Sequence, residues 1–133
     1  MKEKKKILVM DDEADVRTFI KVLLEDNGYL VEAASNGEEG LEVMKRFQPD
    51  LITLDISMPG KSGIKFYREI KERPETSAIP VVVITGVTGL GGDPDVFRRF
   101  INTRRQIPPP EAFVPKPIDK DYVIACIAKL LNG

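Results

Sequence analysis

Short apolar runs alternate along the chain with stretches whose apolar residues recur every three or four positions. A short run bounded by turn residues is typical of a buried strand, whereas the longer period is typical of one face of an α-helix. The run VVVI at 81–84 has the continuous apolar character of a strand that is covered on both faces. Five such runs lie at 7–10, 29–33, 51–54, 80–84 and 112–114.

Each predicted strand is followed by a stretch that predicts a helix. Capping residues mark the ends of these stretches, such as Asn36 at the start of one and Asn27-Gly28 at the end of another. Strands and helices in this order predict an α/β fold whose parallel sheet has helices on both faces. The apolar faces of the predicted helices consist of Val16, Phe19, Ile20, Leu23 and Leu24; Leu41, Met44 and Phe47; Ile64, Phe66, Tyr67 and Ile70; Val96, Phe97, Phe100 and Ile101; and Val123, Ile127, Leu130 and Leu131.

The length and composition predict one domain that spans residues 1–133. A chain of 133 residues can bury an ordinary core, and it contains neither an internal repeat nor a linker-like segment. Its 20 basic and 21 acidic side chains nearly cancel, which argues against direct nucleic-acid binding and against membrane association. A single cysteine excludes an internal disulfide, and no apolar run approaches about 20 residues, so we expect a cytoplasmic location.

The absence of histidine narrows the chemistry further. Serine–histidine–aspartate triads, histidine-bound zinc and histidine acid–base catalysis are all excluded. Any reaction must therefore use carboxylates, hydroxyl groups, lysine and a hard metal ion.

Polar residues stand at or just beyond the ends of four predicted strands. Asp11 and Asp12 follow the first strand, Asp55 follows the third, Thr85 the fourth and Lys116 the fifth. Because ligand sites of open parallel sheets lie at the carboxyl ends of the strands, we expect these side chains to meet at one rim. Three carboxylates predict a site for Mg²⁺, which prefers oxygen ligands. A lysine and a hydroxyl group beside them can donate to phosphoryl oxygens, so the rim suits phosphoryl transfer.

These residues stand in motifs that resemble the receiver domain of two-component response regulators. The resemblance rests on ILVMDDE, LITLDISMPGKSG, VVVITG and FVPKP, and it runs from Ile7 to Leu131. It implies a flavodoxin-like, doubly wound, five-stranded parallel sheet of order 2-1-3-4-5, as in single-domain receivers of the chemotaxis-regulator type. It also implies a signalling domain rather than an enzyme, one that catalyses only its own phosphorylation and dephosphorylation.

The resemblance implies specific roles for the residues at the metal site. Asp55 would accept the phosphoryl group and also bind the metal. Asp12 would bind Mg²⁺ directly, with Mn²⁺ as an alternative ion, and Asp11 would act largely through water. Ser57 would contribute its backbone carbonyl as a further ligand.

The resemblance also implies a switch. Thr85 and Lys116 would engage the phosphoryl oxygens, and Phe113 would turn inward when Thr85 moves toward the phosphoryl group. This movement would change the surface that the predicted helix at 93–101 forms with the last strand and the last helix. Pro117 stands where the family often has a cis bond after the lysine.

The partners follow from the same resemblance. A histidine kinase or a histidine phosphotransfer protein would donate the phosphoryl group, and a downstream protein or output domain would bind the switched surface. The domain would be a monomer or a phosphorylation-dependent dimer. Since no sequence follows the last predicted helix, we expect either a stand-alone receiver or the receiver of a longer protein.

One region departs from the family pattern, and three alternatives stay open. Thr85 and Lys116 are 31 positions apart, more than we expect of a receiver, so residues 86–111 form an extended region. A receiver that signals by binding alone is one alternative. A Mg²⁺-dependent phosphatase of the haloacid dehalogenase type is another, although Ser57 stands where such enzymes have an acid. In the third, Asp11 and Asp12 only cap the helix that follows them.

Overall fold

The computed structural model describes residues 4–55, 62–85 and 111–132, and five strands within them form one parallel sheet. The strands are β1 (Lys6–Met10), β2 (Leu30–Ala34), β3 (Leu51–Asp55), β4 (Val81–Thr85) and β5 (Ala112–Pro115). Their order is β2-β1-β3-β4-β5, so the prediction of an α/β sheet of order 2-1-3-4-5 is confirmed. β2 and β5 are the edge strands of this sheet.

The described helices cover both faces of the sheet; the first three lie between consecutive strands, and the fourth follows β5. They are α1 (Ala14–Asp26), α2 (Gly37–Phe47), α3 (Ser62–Glu72) and α4 (Lys120–Asn132). None of these described helices has the length and apolar character needed to cross a membrane.

Two hydrophobic clusters hold the layers together. Met44 and Phe66 belong to the cluster between the sheet and helices α2 and α3. Ile20 and Val123 belong to the cluster between the sheet and helices α1 and α4. Successive residues of a strand point to opposite faces, so the central strands contribute to both clusters. β3 is buried along its whole length, which holds its last residue, Asp55, in a fixed position.

The helix ends follow the capping residues of the sequence. The Asn36 side chain accepts the backbone N–H of Glu39 at 2.9 Å, which satisfies a free donor at the start of α2. Asp119 does the same for Tyr122 at 3.1 Å, at the start of α4. After α1 the chain turns at Gly28, whose φ of 93° lies in the left-handed region that favours glycine.

Some boundaries differ from the prediction by one or two residues. The strand predicted at 29–33 is observed at Leu30–Ala34. The N–H of Tyr29 still bonds to the carbonyl of Leu24 at the end of α1, so Tyr29 belongs to the turn. The helix predicted at 93–101, and all of the extended region except Glu111, lie outside the described residues.

A buried lysine connects the end of α3 to the starts of β4 and β5. The Lys71 ammonium group donates to the carbonyls of Ser77 at 3.1 Å and Ile79 at 2.8 Å, and it lies 3.9 Å from Glu111 Oε2. Burial lowers the pKa of Lys71, and the negative charge of Glu111 opposes that shift. Glu111 Oε1 accepts the N–H of Val81 at 2.7 Å. This network fixes the place where β5 enters the sheet.

Candidate functional site

Acidic and basic side chains meet at the carboxyl ends of the parallel strands. Asp11 directly follows β1, Asp55 is the last residue of β3, and Lys116 directly follows β5. Parallel pairing aligns these ends, as shown by Met10, which is opposite Leu54 in the ladder between β1 and β3. Residues that are far apart in the sequence therefore reach one rim.

Lys116 is a cation that lies close to three acids of this rim. Its ammonium group lies 3.3 Å from Asp55 Oδ2, 3.7 Å from Asp11 Oδ2 and 3.8 Å from Glu13 Oε1. The contact with Asp55 is a hydrogen bond in which the ammonium group donates. The Asp55 and Asp11 side chains are at most 1% exposed, whereas that of Glu13 is 64% exposed. Lys116 thus holds a buried carboxylate from each of two strand ends.

Asp11 is a buried acid with an incomplete set of hydrogen bonds. Its Oδ1 accepts the N–H of Glu13 at 2.9 Å, but no donor among the described residues reaches its buried Oδ2. Burial is the main cause that raises the pKa of Asp11 to about 6. The charges of Asp55 and Asp12 act in the same direction, while the Glu13 N–H and Lys116 oppose them. The Lys116 ammonium group lies 3.7 Å from Oδ2, too far for a hydrogen bond, so this oxygen can still accept a bond from a positively charged ligand.

The capping alternative explains little of this arrangement. Glu13 occupies the N-cap position of α1, and its side chain makes no capping hydrogen bond there. The N–H of Glu13, which bonds to Asp11, belongs to the loop before the helix. It is not one of the free N–H groups in the first turn of α1. Helix capping therefore does not account for the burial of Asp11.

The electrostatics of the rim are dominated by negative charge. Burial alone would lower the pKa of Lys116, but the charges of Asp55, Asp11 and Glu13 outweigh it and raise this pKa. Lys116 is therefore protonated at neutral pH. In the described part of the chain Lys116 and the guanidinium group of Arg17 offset only part of the charge of the four acidic residues, so the rim attracts cations.

A divalent cation fits the donor set. Asp11, Asp12, Glu13 and Asp55 each offer a carboxylate oxygen, and these oxygens lie within 4.8 Å of one another. Oxygen ligands suit Mg²⁺, and the buried Asp11 Oδ2 without a donor is an atom that a cation would satisfy. The predicted metal ligands Asp11, Asp12 and Asp55 are thus brought together.

Other predicted residues are placed only in part. The backbone of Thr85 ends β4 beside Pro115, but its side chain lies outside the described part, as does the whole of Ser57. Phe113 is half-buried and packs against the cluster under α2 and α3. The bond before Pro117 is cis, as the resemblance implied. The roles of these residues stay predictions.

Two residues at the rim were not predicted. Glu13 adds a fourth carboxylate. Its place directly after Asp11 and Asp12, as the third acid of the DDE run, could have identified it. Arg17 donates from its guanidinium group to the Asp11 carbonyl at 2.8 Å. One turn of helix separates Arg17 from Glu13, a spacing that places it over the acidic loop.

The family of the chain follows from comparison with known proteins. The family model for the response regulator receiver domain matches residues 7–102. The protein PilH of Pseudomonas aeruginosa is 30% identical over 128 residues, which cover 96% of this chain and 98% of PilH. The chain therefore belongs to the response regulator receiver family, a signalling domain of two-component systems.

Longer proteins and solved structures agree with this assignment. A probable transcriptional regulator, ycf27 of Porphyridium aerugineum, is 36% identical over 107 residues, which cover 74% of this chain but 43% of ycf27. The receiver domain of a signal transduction histidine kinase from Syntrophus aciditrophicus superimposes with a TM-score of 0.79. It is 28% identical, and the match covers 97% of this chain and 91% of that domain. Receivers similar to this chain thus occur alone and within longer proteins.

Replacement of Asp12 is expected to weaken cation binding. The Asp12→Ala variant removes an exposed carboxylate from the acidic cluster, so we expect Mg²⁺ affinity to fall by roughly tenfold or more. Isothermal titration calorimetry measures this directly. Asp26→Ala, which removes an exposed acid at the far end of α1, is the matched control. Equal affinities for the two variants would rule out Asp12 as a ligand.

Proposed function

We propose that the chain is the phosphoacceptor of a two-component phosphorelay and that Asp55 carries the phosphoryl group. The observation that supports this most strongly is the Asp55 carboxylate, which is fully buried at the rim and bonded to Lys116 at 3.3 Å. A structural ion pair requires one acid for one lysine, whereas here three further acids lie nearby. A surplus of negative charge, two of its four carboxylates buried, is expected where a cation is to be bound together with a phosphoryl group.

The proposed reaction needs only groups at this rim. A carboxylate oxygen of Asp55 attacks the phosphorus of a phosphohistidine on a partner protein. The P–N bond breaks as the P–O bond forms, and the leaving imidazole keeps the electron pair and takes a proton from solvent. Lys116 neutralises one phosphoryl oxygen. Mg²⁺, held by Asp12, Asp55 and the Ser57 carbonyl, and by Asp11 through water, would supply the remaining charge neutralisation.

An apolar groove beside the rim is a suitable docking surface for the donor. Its volume is about 330 Å³, and it runs between α1 and the segment after β5. Phe19 is 42% exposed there, a large apolar side chain next to a charged site. Lys116 belongs both to this groove and to the site, so a histidine kinase or a histidine phosphotransfer protein that brings a phosphohistidine to Asp55 would dock here. The groove is lined by Asp15, Val16, Phe19, Lys116, Pro117 and Ile118.

The proposed output is a change of surface. Phosphorylation adds negative charge and acceptor oxygens, which attract Lys116 and the Thr85 hydroxyl group. Phe113, on the neighbouring strand β5, moves with them in this scheme and alters the face of β5 and α4. A downstream protein or output domain then binds that face, and the domain stays monomeric or dimerises on phosphorylation. The proposal places this exchange in the cytoplasm, without direct contact to nucleic acid or membrane.

Incubation with acetyl phosphate tests the function. With Mg²⁺ present, we expect intact-mass spectrometry to show one phosphoryl group per chain, and chelation of the metal by EDTA to prevent the labelling. A receiver that signals by binding alone would stay unlabelled in both conditions. Sustained release of phosphate from simple phosphomonoesters would instead favour the phosphatase alternative.

A further inference from the structure

Glu13 is exposed, as Asp12 is, whereas Asp11 and Asp55 are buried. Its side chain is 64% exposed, whereas those of Asp11 and Asp55 are at most 1% exposed. Nevertheless one of its oxygens lies within 4.8 Å of a carboxylate oxygen of each of the other three acids. Its backbone is held in place, because its N–H bonds to Asp11 and its carbonyl accepts the N–H of Arg17 at 2.9 Å. Glu13 therefore presents a hydrated charge at the entrance to the site.

A charge at this place acts on cations and anions in opposite directions. It attracts a divalent cation that binds beside Asp11 Oδ2, the buried atom without a donor. It also competes for Lys116, which lies 3.8 Å from Glu13 Oε1 and 3.3 Å from Asp55 Oδ2. A phosphodonor carries negative charge and depends on that lysine, so the same carboxylate repels the donor and occupies its partner.

We propose that Glu13 is a specificity-determining residue that tightens cation binding and slows the reaction with anionic phosphodonors. The inference rests on the proposed function, because it concerns the same cation and the same acceptor. In this role the charge of Glu13 acts over a distance of several ångströms, and a direct bond to the cation is not required. In the reaction with acetyl phosphate an Asp55 oxygen attacks phosphorus, the bond from phosphorus to the acetyl oxygen breaks, and acetate leaves with the electron pair.

The Glu13→Gln variant tests this in two measurements. It keeps the size of the side chain and removes its charge. We expect Mg²⁺ affinity, measured by calorimetry without phosphodonor, to fall roughly three- to tenfold at low ionic strength, and the loss to shrink as salt is added. At saturating Mg²⁺ we expect the rate of labelling by acetyl phosphate to rise severalfold. Glu42→Gln, which removes an exposed charge on α2, is the control and should change neither quantity.

Mg²⁺ affinity is expected to fall and the labelling rate to rise, and these opposite changes distinguish a role of the Glu13 charge from structural support. A loosened site would weaken cation binding and slow labelling together, so weaker binding with slower or unchanged labelling would overturn the inference. Unchanged Mg²⁺ affinity in Glu13→Gln would overturn it as well. If Asp12→Ala binds Mg²⁺ poorly while Glu13→Gln binds normally, the metal site stands and only the role of Glu13 fails. If neither variant changes the affinity, the proposed metal site itself fails.

Discussion

The Asp55→Asn variant is expected to take up no phosphoryl group from acetyl phosphate. The amide has nearly the same shape as the carboxylate but is a poor nucleophile, so labelling should fall by roughly a hundredfold or more. The amide oxygen can still accept the hydrogen bond that Lys116 donates to this side chain, so the fold should persist. Intact-mass spectrometry after a fixed incubation measures the loss.

The matched control for this experiment stands at the other end of the same strand. Asp50 precedes β3 and accepts the N–H of Lys6 at 2.8 Å, far from the rim. Asp50→Asn keeps an acceptor oxygen there and should be labelled as the wild type is. Labelling of Asp55→Asn at the wild-type level would show that another residue is the acceptor, and the proposed function would have to be abandoned.

The Lys71→Met variant is expected to lose about 2–4 kcal/mol of unfolding free energy. Methionine fills much of the same space, but the partly buried carbonyls of Ser77 and Ile79 lose their donor. Glu111 also loses a cation at 3.9 Å, a smaller contribution because the Glu111 side chain is 36% exposed. Burial of the Lys71 charge costs free energy, which is why it lowers the pKa of this residue. The methionine variant removes that cost, and this offsets part of the loss. Urea unfolding monitored by circular dichroism gives the difference.

Lys129→Met is the comparison for this measurement. Lys129 is the basic residue in the last turn of α4, as Lys71 is in the last turn of α3, but it is exposed. Its replacement should change the free energy of unfolding by less than about 0.5 kcal/mol. If both variants lose the same small amount of unfolding free energy, Lys71 does not stabilise the starts of β4 and β5.

The strands of the sheet could be predicted from the sequence, because each of them is marked by its own short apolar run. The run at 81–84 is apolar throughout, and β4 is observed as a central strand at that place. The order of the strands came instead from the resemblance, since periodicity says nothing about which strands are neighbours. The end of α1 was predicted from Asn27-Gly28, where glycine permits the left-handed turn.

The site residues that stand at strand ends could be predicted from the sequence. The contacts that depend on the conformation of a side chain could not. Asp11, Asp55 and Lys116 stand at the ends of strands, and the geometry of a parallel sheet brings strand ends together. The contact of Glu13 with Lys116 depends on a rotamer, and no pattern of residues encodes it. Lys71 looks like an ordinary surface lysine on a helix, because the residues that bury it fold over it later in the chain.

The strands that carry the acids and the strand that carries the lysine differ in stiffness. In the described sheet β1 and β3 are hydrogen-bonded on both sides, whereas β5 is bonded only to β4. Displacing a strand with one neighbour disrupts one ladder of hydrogen bonds, and displacing a central strand disrupts two. Asp55, the proposed nucleophile, therefore stands on a strand that is held on both sides, and Lys116 follows a strand that is held on one side. The site can therefore widen for an incoming group by a displacement of β5 and Lys116, while β3 keeps Asp55 in place.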